Sequence, residues 1–201
     1  MIEALTNEWK ESGVQEGDTL LVHSNIKRTF RRYLKSGIRL SSHDILDSFI
    51  NAVGSSGTLL FPLFNFDFTK GISFDINNTP SHMGSLTEAA RMHPLAVRTG
   101  HPVYSFAAIG AKSKYFADID NFSGYGDDSP FAVFREMGGK IAILDLPDQN
   151  SMTFYHYVEE MHRVDYRHHK VFTGIYTDRF GNTECKKYSI FVRNIKEGVL
   201  T

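Results

Sequence analysis

The sequence predicts a single α/β domain with a mixed sheet, largely parallel with an antiparallel extension and flanked by helices. Three observations lead there. Short apolar runs alternate with amphipathic helical segments as far as residue 163, the pattern of strand–helix–strand units. Two alternating segments then flank Arg179-Phe180-Gly181-Asn182, a turn signal that makes the final pair antiparallel. The chain has 201 residues, 41% hydrophobic and 22% charged, enough for one sizeable core. Residues 1–201 are therefore read as one domain, without a repeat, linker or low-complexity stretch.

Taken in order, Ile2 to Ser12 reads as a helix stopped by Gly13. Asp18 to His23 is a short apolar strand. Ser24 to Lys35 is polar and basic, and no helix is assigned to it. Ser41 or Ser42 caps a helix with Asp44 in its first turn. Ile45, Leu46, Phe49, Ile50 and Val53 form its apolar face, and Gly54 ends it. Gly57 to Pro62 is a second strand, and Asn65 to Met83 is a long loop of the kind that often carries function. A helix follows over Gly84 to Met92, then a strand over Tyr104 to Ile109 and a short helix over Lys112 to Phe116. Ser129-Pro130 opens another helix, with serine at the cap and proline in the first turn. Lys140 to Leu146 is a buried strand, Ser151 to about Arg163 a helix, and Lys170 to Thr177 with Glu184 to Val192 the closing hairpin.

Charge and cysteine content narrow the function. Lysine and arginine total 22 against 23 acidic residues, a net charge of -1, so nucleic acid is not an expected partner. The single cysteine, Cys185, excludes an internal disulfide framework and fits a reducing compartment. No run is long enough for a membrane span, and Met1 to Gly17 does not read as a signal peptide. The expected location is the cytoplasm, and the sequence leaves a homo-oligomer open.

The stretch Asn150 to Glu160 carries the most chemistry. On a helix, His156 and Glu159 share one face about one turn apart. A carboxylate there can orient an imidazole and stabilise its protonated form, as a general base requires. The same spacing also occurs in surface pairs and in satisfied core histidines. His23-Ser24-Asn25 with Lys27 and Arg28 follows a strand end and could bind phosphate, or be a solvated basic loop. Ser129 at a helix start could face an anion or simply cap the helix. His101-Pro102 could bind substrate or end a strand. No His-Glu-x-x-His or Gly-x-Ser-x-Gly pattern occurs, so neither a metal site nor a serine hydrolase is expected.

Together these stretches resemble the aminoglycoside 3-N-acetyltransferase (antibiotic N-acetyltransferase) family. The resemblance rests on segments in the family's order: Gly17 to Ser24, Val53 to Pro62, Thr79 to Glu88, Arg98 to Gly110, Asp128-Ser129-Pro130 and Thr153 to Glu159. It implies the family's own α/β fold, distinct from the GNAT acetyltransferases. It also implies transfer of acetyl from acetyl-CoA to an amine of an aminoglycoside or other amino sugar. His156 matches the family's catalytic histidine and Glu159 its acidic partner. His23, Ser24, Asn25, Lys27 and Ser129 match positions lining the coenzyme site, and Thr58 and His101 lie in motifs flanking the reacting centre.

The chain departs from the family in several places. Phe154, Tyr155 and Tyr157 surround the histidine, Asp145 stands where glycine is usual, and Lys27 to Lys35 is unusually basic. The C-terminal portion is expected to be shortened at Thr201. Acidic loop residues Asp67, Asp75, Asp118, Asp120, Asp127 and Asp128 could attract a cationic acceptor or serve as turn residues. Alternatives are an acetyltransferase for a nucleotide-linked amino sugar in surface-polysaccharide synthesis, a non-catalytic CoA-binding protein of the same fold, and a metal-dependent hydrolase.

Overall fold

Leu20 and Val22 of the first strand point to one side of the sheet and Leu21 to the other, and all three are buried. That two-residue period places the strand between two apolar layers. The computed structural model describes residues 1–147 and 151–194. Asn150, the first residue of the Asn150 to Glu160 stretch, lies outside them.

The main sheet has five strands in the order β4-β5-β2-β1-β6. These are β1 (Thr19–Ser24), β2 (Thr58–Pro62), β4 (Val97–Arg98), β5 (Phe106–Gly110) and β6 (Lys140–Leu144). β1 pairs in parallel with β2 and β6, while β5 runs antiparallel to both β2 and β4. A second sheet, in the order β3-β7-β8, contains β3 (Phe74–Asp75), β7 (Arg167–Thr177) and β8 (Thr183–Arg193). The class is the expected mixed α/β. The hairpin, however, makes its own sheet with β3, which lies inside the expected Asn65 to Met83 loop.

Gly110 explains how β5 can close against the start of β2. It adopts φ 120, and a Cβ there would lie 2.2 Å from the Gly57 carbonyl oxygen. Only glycine accepts both the backbone angle and the approach.

Helices α1 (Ile2–Glu11), α3 (Ser42–Val53) and α4 (Ser85–Arg91) supply the first apolar layer. Trp9 stacks on Phe49 at 4.7 Å, and its indole N–H donates to the Ser48 hydroxyl at 2.7 Å. Ser41 and Asp44 form the capping box that starts α3. The other layer joins α5 (Pro130–Glu136) and α6 (Phe154–Met161) to the inner face of the hairpin. It contains Leu60, Phe106, Phe131, Tyr157, Tyr176 and Tyr188. Each large apolar side chain buried in these layers stabilises the fold by about 2 kcal/mol. Among the described residues, no helix is long and apolar enough to cross a membrane.

The basic stretch contains a helix that was not expected, α2 (Lys27–Lys35). Thr29 and Tyr33 are its buried residues, and Phe30 packs against the first apolar layer. Its N-cap is Ile26, whose side chain makes no capping bond. The cap comes instead from Asp145, whose Oδ2 accepts the Thr29 N–H at 2.7 Å.

Candidate functional site

β1 delivers His23 and Ser24 to the carboxyl end of the parallel strands, and α2 begins just beyond. Ser24, Asn25 and Lys27 line a cleft of about 390 Å³ with Phe30, Gly84 and Leu146. The Asn25 side chain accepts the Lys27 N–H at 3.3 Å, which turns the chain into α2. Three of the five residues expected at a coenzyme site thus come together. His23 lies beneath them, only 5% exposed, and burial pushes its imidazole down to about 4. Its Nε2 is buried without a hydrogen-bond partner among the described residues.

Ser129 is not among the residues lining this cleft. It occupies the N-cap of α5, but its hydroxyl makes no capping bond and the residue is fully buried. Its Oγ has no hydrogen-bond partner among the described residues.

Thr58 and His101 do not line this cleft either. Thr58 pairs with Thr19 at the opening end of β1, whereas Ser24 pairs with Leu144 at the other end. Five strand steps separate the two ends, roughly 16 Å. The Thr58 hydroxyl is buried and accepts the Lys112 N–H at 2.9 Å. His101 is fully buried, and its Nδ1 accepts the N–H groups of Val103 and Tyr104 at 3.2 and 3.1 Å. Nε2 therefore carries the proton and donates to the Ser189 carbonyl at 3.2 Å. Burial pushes this imidazole down to about 4. His101 thus ties the loop before β5 to the hairpin.

His156 and Glu159 come together on α6. Glu159 Oε2 lies 2.7 Å from His156 Nδ1, as the spacing of three residues predicts. Two residues not foreseen in the sequence join this pair. The Tyr166 hydroxyl donates to Glu159 Oε1 at 3.0 Å. Arg167 places Nε 2.9 Å from Glu159 Oε2 and Nη2 2.9 Å from His156 Nδ1. Tyr125, 1% exposed, packs its ring 5.3 Å from the imidazole.

Burial is the largest influence on His156 and lowers its pKa from 6.5. The bond to Glu159 opposes this, and the Arg167 charge adds to it. The net result is a neutral imidazole at pH 7, able to accept a proton. For Glu159 burial is again the largest influence and acts upward. Bonds from His156 and Tyr166 and the Arg167 charge outweigh it, leaving a carboxylate below its usual range.

Arg167 also forms part of the wall of a second cleft of about 750 Å³, with Ser123, Asp127, Asp128, Glu160 and His169. Glu160 is 8% exposed and accepts the Ser123 hydroxyl at 2.9 Å, and burial raises its pKa. Of the acidic loop residues, Asp127 and Asp128 face this cleft. Asp67 pairs with Lys70, Asp75 holds the turn at Asn77 and Asn78, Asp118 meets Arg179, and Asp120 meets Lys186 and Tyr188.

The family model described as aminoglycoside 3-N-acetyltransferase matches residues 21–197. Aminoglycoside N(3)-acetyltransferase VII of Streptomyces paromomycinus is 29% identical over 169 residues, covering 74% of this chain and 56% of that protein. Aminoglycoside N(3)-acetyltransferase IX of Micromonospora chalcea is 25% identical over 177 residues, covering 78% and 60%. The matched part thus spans less than two thirds of the length of these relatives. Among solved structures, AAC-IIIb in binary complex with CoASH superposes with a TM-score of 0.83 at 23% identity, covering 96% of this chain and 76% of that one. The YokD protein of Bacillus subtilis gives a TM-score of 0.80 at 21% identity, covering 95% and 81%. At these identities the superpositions establish the fold.

Proposed function

The chain belongs to the aminoglycoside 3-N-acetyltransferase family, and on that premise we propose that it transfers acetyl from acetyl-CoA to an amine of an aminoglycoside or another amino sugar. The observation that carries this reading is the His156–Glu159 contact at 2.7 Å. It commits Nδ1 and leaves Nε2 as the ring nitrogen to take a proton from the acceptor. An ammonium has no lone pair for attack, so the acceptor must lose a proton before or during acyl transfer. An imidazole kept neutral by burial suits that step.

Acetyl-CoA supplies an activated thioester. Ser24, Asn25 and Lys27 are the residues proposed to hold the coenzyme, in the 390 Å³ cleft beside α2. The polar and ionic groups there suit its phosphates and amides. As His156 gains a proton, the Glu159 carboxylate stabilises the imidazolium, and the proton returns to solvent or to the departing thiolate. The acidic side of the larger cleft, at Asp127 and Asp128, favours a cationic acceptor. Relatives named as aminoglycoside acetyltransferases and a neighbour solved with CoASH support the same substrates. A reaction fed by acetyl-CoA belongs in the cytoplasm, and we read residues 1–201 as one domain.

The test is thiol release from acetyl-CoA in the presence of aminoglycosides, simple amino sugars and nucleotide-linked amino sugars. Acceptor-dependent release with the first two groups supports the reading. Release only with nucleotide-linked acceptors would move the function to that class. CoA binding without transfer to any amine would make the chain a binding protein.

A further inference from the structure

We propose that Arg167 is a positioning residue of this site, pinning Glu159 and flanking His156 so that the imidazole is held with its proton on Nδ1 and works from Nε2. The inference rests on the proposed role of His156 as base.

Arg167 opens β7 and its side chain is only 8% exposed. Its guanidinium meets three groups, although Nε makes no hydrogen bond among the described residues. Nη1 donates to the Phe191 carbonyl at 2.9 Å, which fixes the group to β8. Nε lies 2.9 Å from Glu159 Oε2, and Nη2 lies 2.9 Å from His156 Nδ1. Glu159 Oε2 lies 2.7 Å from the same Nδ1.

These contacts restrict the imidazole. A guanidinium only donates and a carboxylate only accepts. Nδ1 therefore cannot satisfy both neighbours in one protonation state. If Nδ1 accepts from Nη2, its lone pair faces the lone pairs of Oε2 at the shorter distance. If Nδ1 carries the proton, it makes a charge-assisted bond to Oε2, and the ion pair between Arg167 and that carboxylate stays in place. Both bonds are charge-assisted, but the contact to Oε2 is the shorter, 2.7 against 2.9 Å, so the Nδ1–H form is selected and Nη2 gives up Nδ1 as an acceptor. Nε2 then has its lone pair free for a proton.

The same guanidinium resists full protonation of the ring. The charged and titratable groups around His156 are Glu159 on its own helix, Tyr125 from the loop before α5, Tyr166 and Arg167 at the start of β7, and Arg193 at the end of β8. Burial and the two arginines favour the neutral ring, and Glu159 opposes them. Loss of Arg167 removes one charge of the first kind and leaves the Glu159 carboxylate no longer shared with a guanidinium. Both changes favour the imidazolium.

The experiment compares the full chain with Arg167→Gln and Arg167→Lys. Nitrogen-15 NMR reads the His156 tautomer and titration, alongside the pH–rate profile with acetyl-CoA and thermal unfolding. In the unsubstituted protein the Nδ1–H form is expected. In Arg167→Gln the titration midpoint and the acid limb rise together by about one pH unit. In the same variant kcat falls at least tenfold while KM for acetyl-CoA stays within about twofold. Arg167→Lys keeps the charge, so it recovers part of the pH shift but little of kcat, because an ammonium lacks the planar fork.

An Arg167→Gln protein with unchanged tautomer, titration and kcat would overturn the proposal, even if it melts earlier. If that variant does not fold, the same unchanged readings in Arg167→Lys overturn it. The NMR readings need no turnover. A protein that acetylates no amine therefore refutes the proposed function while Arg167 is still tested.

Discussion

Asp145 Oδ2 accepts the backbone N–H of Thr29 at 2.7 Å, joining the end of β6 to the first turn of α2 across 116 residues. Asp145 holds φ 59, a left-handed conformation that aspartate tolerates better than most residues. The first turn of α2 contains Lys27 and Arg28 and no acidic residue, an unfavourable arrangement for the helix dipole. A carboxylate from another strand offsets it. Asp145→Ala should cost about 2 kcal/mol through the lost cap and the strained angle. Asp145→Asn, which retains both, should cost under half of that. Urea unfolding of the two variants checks the order; equal losses would contradict it.

The same contact explains what the sequence conceals. Strands such as Thr19–Ser24, the capped helix from Ser41 and the closing hairpin are written in local period and turn chemistry. The His156–Glu159 pair is also local, three residues apart on one helix. Helix α2 carries no cap of its own, so its stretch reads only as basic. Arg167 reaches His156 from the start of β7, beyond the end of α6, which no spacing rule anticipates. The bond from His101 to the Ser189 carbonyl, 88 residues away, likewise has no local signature.

Thr58 should matter for stability and not for transfer. Thr58→Val keeps the shape but leaves the Lys112 N–H without its acceptor. The expected loss is about 1–3 kcal/mol. The rate per folded molecule should stay within about twofold, since Thr58 lies at the far end of the sheet. A tenfold fall in kcat at unchanged KM would return Thr58 to the reacting centre.

Acid should weaken the fold through His23 and His101. Both are held near 4 in the folded chain, mainly by burial, against an ordinary value of 6.5. The unfolded chain therefore binds more protons between those values. Stability is full above about pH 6.5 and is lost as pH falls toward 4, by up to the order of 3 kcal/mol per histidine. Urea midpoints measured from pH 7.5 to 4.5 should fall steadily, and a flat profile would show that these imidazoles titrate normally.

Lys27 is exposed on the cleft assigned to the coenzyme. Lys27→Glu should raise KM for acetyl-CoA about tenfold at low ionic strength, with kcat little changed and the effect shrinking in salt. Steady-state kinetics at two salt concentrations check this. An unchanged KM would remove Lys27 from the coenzyme site.

The central claim is that His156 accepts the proton of the attacking amine. The most direct measurement is kcat of His156→Ala against the unsubstituted chain, with acetyl-CoA and the best amino-sugar acceptor, after thermal unfolding has shown that the variant is folded. A loss of at least two orders of magnitude is predicted, the usual worth of a general base. Turnover equal to that of the unsubstituted protein would contradict the account.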